Sequence, residues 1–116
     1  MLNAELYIIE WLAGLGYSAY IAPPGHDEQP DEFCTVERTG GGSEFSIDRP
    51  SILIQCWAET ALRASQMAYD LKERISTKEL VSAQVSSAEE AGTSYVPDPD
   101  GTRKPRYQII VNMVTR

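Results

Sequence analysis

The sequence predicts an α+β domain. Its sheet is mixed but mostly antiparallel, with four to five strands and two helices packed on one face, in the order α-β-β-β-α-β-β. Three observations predict it. Apolar residues recur at helical spacing in two segments, Leu2 to Leu15 and Ala61 to Ile75. Between and after them lie apolar runs bounded by Gly, Pro and Asp clusters, the pattern of short strands and turns. The last ten residues, Tyr107 to Arg116, alternate as a strand, which must take its place in a sheet formed by earlier segments.

The elements follow in order. Asn3 has the chemistry of an N-cap, and Glu5 places negative charge on the positive helix end. Leu6, Ile9, Leu12 and Ala13 form the expected buried stripe, widened by Ile8 and Leu15. Gly14 and Gly16 end the helix. Tyr17 to Ile21 reads as a short strand, broken by Pro23, Pro24 and Gly25, and His26 to Glu32 is a polar solvent loop. Phe33 to Thr39 alternates as a half-buried strand, and Gly40 to Gly42 marks a flexible turn. Ser43 to Pro50 is ambiguous, with Phe45 and Ile47 alternating as a hairpin would. Ser51 to Ala58 is apolar on both faces, which predicts a central, doubly covered strand.

Thr60 caps the second helix, whose stripe is Ala61, Ala64, Ala68, Leu71 and Ile75, flanked by Leu62 and Met67. Its alanines imply close approach to the sheet. Thr77 to Leu80 is a turn. Val81 to Ser87 is a strand with Val81, Ala83 and Val85 inward, continuing along an edge toward Tyr95. In the final strand Tyr107, Ile109, Val111 and Met113 share one face.

With 116 residues the chain suits a single domain, 1–116, able to bury a core without staples. Apolar content of 42% and charged content of 23% are those of a globular protein. The formal net charge of −7 argues against direct affinity for nucleic acid and fits a surface past which a polyanion slides without sticking. Cys34 and Cys56 read as buried hydrophobes; a disulfide between neighbouring strands is possible but not implied. The first helix contains Glu5 and Glu10 and lacks a basic leader, and no apolar run reaches membrane-spanning length. A soluble protein made in the cytoplasm is expected.

Chemistry-bearing constellations are sparse. His26 is the single histidine, in a turn beside Asp27 and Glu28; metal binding or acid–base work needs more ligands at set spacings. Gly40-Gly-Gly-Ser43 lacks the Lys-Ser or Lys-Thr of a phosphate loop. Asp98-Pro-Asp-Gly101 lacks the spacing and distal Glu of a calcium loop and reads as a turn. No catalytic residue, cofactor or metal is expected. Trp11 and Trp57 read as core. Tyr95, Asp98, Arg103, Lys104 and Arg106 form a charged, aromatic loop in an acidic protein, and Asp27, Glu28 and Asp31 an acidic one. Arg and aromatic residues are the types enriched at interface hot spots, so these eight are the interface candidates.

Several segments together resemble one family. Phe33-Cys-Thr-Val-Glu-Arg-Thr-Gly-Gly-Gly42, Asp48-Arg-Pro-Ser-Ile-Leu-Ile-Gln-Cys-Trp-Ala58, the alanine-rich helix Ala61 to Ile75, Tyr95-Val-Pro-Asp-Pro-Asp-Gly101 and Pro105 to Arg116 resemble, in order, the tail-terminator or tail-completion proteins of long-tailed bacteriophages and prophages. The resemblance implies a non-enzymatic structural protein that forms a ring, commonly a hexamer, at the head-proximal end of the tail tube. Such a ring ends tube polymerisation and offers a surface to the head connector, while DNA passes through without specific recognition. It implies residence in the virion, with assembly in the host cytoplasm. The alternatives are a head–tail joining (neck) protein of the same fold, a small enzyme using His26 with nearby carboxylates, and a monomeric binding module or regulator. Ring closure needs two different patches per protomer; the Pro23 to Glu32 and Tyr95 to Arg106 loops are the candidates, one acidic and one basic, around an acidic lumen.

Overall fold

A computed structural model describes all 116 residues. Helix α1 spans Ala4–Gly14 and α2 spans Ala61–Ser76. The strands are β1 (Ala19–Tyr20), β2 (Phe33–Gly40), β3 (Ser43–Glu44), β4 (Ile47–Asp48), β5 (Ser51–Trp57), β6 (Val85–Val96) and β7 (Arg106–Thr115). The body of the sheet runs β1-β2-β5-β7-β6, antiparallel except for the β1–β2 pair. The α+β class with two helices is thus as expected. The strand count is seven because the β3–β4 hairpin, joined to β7 through Asp48 and Thr115, extends the sheet at one end.

Both helices start where the caps predict. Asn3 Oδ1 accepts from Leu6 N at 3.1 Å and Thr60 Oγ1 from Arg63 N at 3.1 Å. Both helices contribute to one core. Ala4, Ile8 and Leu12 of α1 and Ala64, Met67, Ala68, Leu71 and Ile75 of α2 join Cys34, Val36, Ile52, Ile54, Cys56, Ile109, Val111 and Met113. The register aligns Val36, Ile54 and Ile109 across three strands, so the period-2 alternation becomes one apolar layer.

Four expectations differ from the structure. The buried stripe of α1 steps by four, and Leu6 (50% exposed) and Ala13 face solvent. On α2, Ala61 and Leu62 are likewise exposed. Val81 and Ala83 are exposed in a turn, because β7 partners for β6 begin only at the Val85–Thr115 pair. β5 is covered along its whole length only on its helix side: on the other face Leu53 and Gln55 are half-exposed, and Trp57 alone is buried.

The Ser43 to Pro50 stretch resolves into the β3–β4 hairpin arm. Gly41 has φ +96°, and a Cβ there would lie 1.9 Å from the Arg49 carbonyl oxygen, so only glycine fits this close approach. Arg38 reaches from β2 to donate to Asp48 Oδ2 (2.7 Å), Asp48 Oδ1 (2.9 Å) and the carbonyls of Gly40 and Gly41 (3.0 Å each). Asp48 is 2% exposed, and its hydrogen bonds from Arg38 hold its carboxyl below the ordinary value. The predicted flexible glycine turn is therefore clamped at its base.

Candidate interaction surface

Three strand ends meet where β5 finishes. Phe33, Trp57 and Arg106 are register partners on β2, β5 and β7. Cys56 faces the helices, so alternation sends Trp57 to the opposite face. Phe33 stacks on Trp57 with ring centroids 5.4 Å apart, and the Arg106 guanidinium lies 4.5 Å from the Trp57 ring centroid. Trp57 Nε1 donates to Thr35 Oγ1 at 3.1 Å. Trp57 is thus buried, as expected, but in a satellite cluster away from the main core.

The two loops singled out in the sequence converge over this cluster. Pro23, His26 and Gln29 approach from one side and Thr102, Arg103 and Lys104 from the other, with Trp57 between, around a cavity of ≈ 390 Å³. The loops are therefore parts of one surface at one end of the sheet, rather than two separate patches of opposite sign. Gln29 Nε2 donates to the Pro24 carbonyl, and Glu32 binds Arg63 of α2 at 2.7 Å, fixing the first loop. His26 is exposed on a short 3₁₀ helix, His26–Glu28. Asp27, Glu28 and Asp31 are exposed and do not line the cavity.

The second loop is shaped by Asp98. Its Oδ2 accepts from Arg103 N (2.8 Å), its Oδ1 from Asp100 N (3.3 Å) and its carbonyl from Gly101 N (3.1 Å), making the expected turn. The Arg103 backbone hydrogen bond holds the Asp98 carboxyl below its ordinary value. Lys104 Nζ pairs with Glu59 at 2.6 Å.

Arg103 and Arg106 differ from the lysine between them. Neither guanidinium has a hydrogen-bond acceptor or an ion-pair partner, while Arg38, Arg63 and Arg74 all have carboxylates. Arg106 Nε and Nη1 are buried without any partner. Burial pushes the Arg106 guanidinium down from its ordinary value, Arg103 adds to the shift, and Asp98 opposes it. Buried donors without acceptors are rare and unfavourable. Sequence reasoning selected Arg103 and Arg106; it did not see Trp57 or Thr35 as part of this surface. The Trp57–Arg106 register, set by strand pairing, is what joins them.

Beside this end Tyr95 (46% exposed) and Tyr107 meet edge-on at 5.7 Å, and Tyr69 of α2 lies 6.4 Å from Tyr107. Aromatic and arginine side chains thus gather here on both sides of the sheet. No helix is long and apolar enough to cross a membrane. No protein-family model matches the chain, and no curated protein matches it either.

Proposed function

We propose that this chain is a structural virion assembly protein, a tail terminator that forms a ring at the head-proximal end of a phage tail tube, ends tube growth and joins tail to head. The ordered resemblance of five segments motivates the reading. The observation that supports it best is the surface the fold leaves uncovered. The sheet face opposite the helices carries half-exposed Leu53, Ile110 and Val114, next to Ile21, which is 56% exposed. Along one margin β6 is a 12-residue strand paired on a single side. Long strand edges and apolar faces of this kind are ordinarily covered by a neighbour. A protein that works by fitting copies of itself and a tube needs such surfaces.

Six copies, the tail tube protein and a head connector are the partners this reading assigns. The net charge of −7 favours an acidic bore through which DNA passes without specific contact. Electron microscopy of virions carrying a gold-labelled copy tests the proposal. Label at the junction of tail and head is expected; label confined to the capsid shell or the distal tail tip overturns it.

A further inference from the structure

The β3–β4 hairpin ends in a turn that conformational preference alone does not explain. Its two turn residues, Phe45 and Ser46, have φ +53° and +64°. Two-residue hairpins of this kind favour Asn-Gly, because a side chain such as Phe is strained at positive φ. Phe45 is nevertheless present, 89% exposed, and touches no other aromatic ring of its own chain. Next to it Glu44 is exposed and has no ion-pair partner. Ile47, 41% exposed, follows. Yet the arm's base is held firmly by Arg38, Asp48 and Gly41. A stiff arm thus projects an aromatic ring and a free carboxylate.

The opposite end of the molecule has the complementary deficit. The hairpin lies at the Ser51 end of β5 and the Trp57 cavity at its other end, roughly 20 Å along the strand. There Trp57 is the one hydrophobic residue of a cavity also lined by Arg103, whose guanidinium has no acceptor, while Arg106 stacks on Trp57 outside the lining. Two carboxylates of this end are engaged within the chain, Asp98 on backbone N–H groups and Glu59 on Lys104. The cavity, ≈ 390 Å³, falls within the range of about 300–1,000 Å³ that holds small ligands.

We infer that the Glu44–Phe45 tip of one copy docks in the Trp57–Arg103–Lys104 cavity of the next copy of this chain. Phe45 enters the cavity beside Trp57, and the Glu44 carboxylate supplies the acceptor that Arg103 lacks. Tip and cavity lie at opposite ends of β5, so the contact is head-to-tail and each copy keeps one of each free for another neighbour. Such a heterologous contact closes into a ring when the rotation per copy allows. The inference deepens the ring reading and rests on it only for the biological setting.

Sedimentation velocity tests it with two variants. A tip variant carries Glu44→Ala and Phe45→Asn; a cavity variant carries Arg103→Glu. All three positions are solvent-exposed, and asparagine tolerates positive φ better than Phe, so both variants should fold and melt like the parent or later. The parent is expected to self-associate, and each variant to weaken association about thirty-fold, the loss of one interface hot spot. Mixed together, the two variants should form a one-to-one dimer and no larger species, because one intact tip meets one intact cavity. Glu44→Arg combined with Arg103→Glu in one chain should restore assembly. Parent-like association by either variant overturns the inference, as does a parent that stays monomeric to about 1 mM. The two readings fail separately: gold label away from the head–tail junction removes the virion role and leaves this contact standing, while rings formed by the tip variant remove the contact and leave the virion role.

Discussion

Asp48→Asn is expected to loosen the hairpin arm and destabilise the whole domain. The carboxylate accepts two hydrogen bonds from Arg38, at 2.7 and 2.9 Å, and one from Arg49 N at 3.0 Å. Asparagine keeps one acceptor but turns an N–H donor toward the guanidinium. Loss of a charge-assisted hydrogen bond costs about 1.5–3 kcal/mol. Asp48 is nearly buried but Arg38 is 32% exposed and keeps the Gly40 and Gly41 carbonyls, so water partly covers the loss. The full penalty for breaking a buried pair, about 3–5 kcal/mol, therefore does not apply, and about 2.5 kcal/mol is expected. An unfolding entropy of about 2.1 cal/mol/K per residue over 116 residues converts this into a Tm lower by roughly 10 °C.

Calorimetry at pH 7 measures it, and pH supplies an internal control. The folded Asp48 pKa lies below its ordinary 3.8. The stabilisation is therefore fully present above about pH 4 and disappears as pH falls through the folded value. The gap between parent and variant should close on acidification below that point. A gap smaller than about 2 °C at pH 7, or one that persists unchanged under strong acid, refutes the clamp.

Gly41→Ala should cost at least about 2 kcal/mol in urea titrations, through positive φ and the Arg49 carbonyl; Gly42→Ala, with open space around it, should change stability little. Cys34 and Cys56 are register partners, buried and free. Burial shields both, and hydrogen bonding to Cys34 together with burial raises the Cys56 thiol well above its ordinary value; neither should react with a thiol reagent in the folded protein, both should react in denaturant, and rapid labelling of the native state contradicts that packing. Phe45→Asn alone should raise Tm slightly while weakening self-association, a pairing of gain and loss that a purely structural role for Phe45 does not produce.

The helices were legible because their signals are local. Asn3 and Thr60 cap them as side-chain chemistry dictates, and the α2 stripe survives apart from Ala61 and Leu62. The strands at Phe33 to Thr39 and Tyr107 to Thr115 were legible as elements, but the expected half-buried alternation fails in the first, where Phe33, Cys34, Thr35 and Val36 are all buried. Alternation at Val81 and Ala83 misled because a strand needs a neighbour, and β7 offers none before Val85. The apolar character of β5 on both faces signalled full coverage, but only its Trp57 end is covered, by loops. Arg103 and Arg106 stood out by residue type. Their convergence with Trp57, and the burial of Asp48 against Arg38, arise from pairing between distant segments, which a one-dimensional pattern does not encode.

The proposed joining of copies of this chain, end to end through unlike surfaces, fixes the mass of the assembly. Native mass spectrometry of the unmodified protein over a concentration series tests it most directly. A closed assembly is expected to dominate, near 77 kDa for six chains of 12.9 kDa each. A single species at 12.9 kDa throughout, or a dimer that never extends, contradicts it.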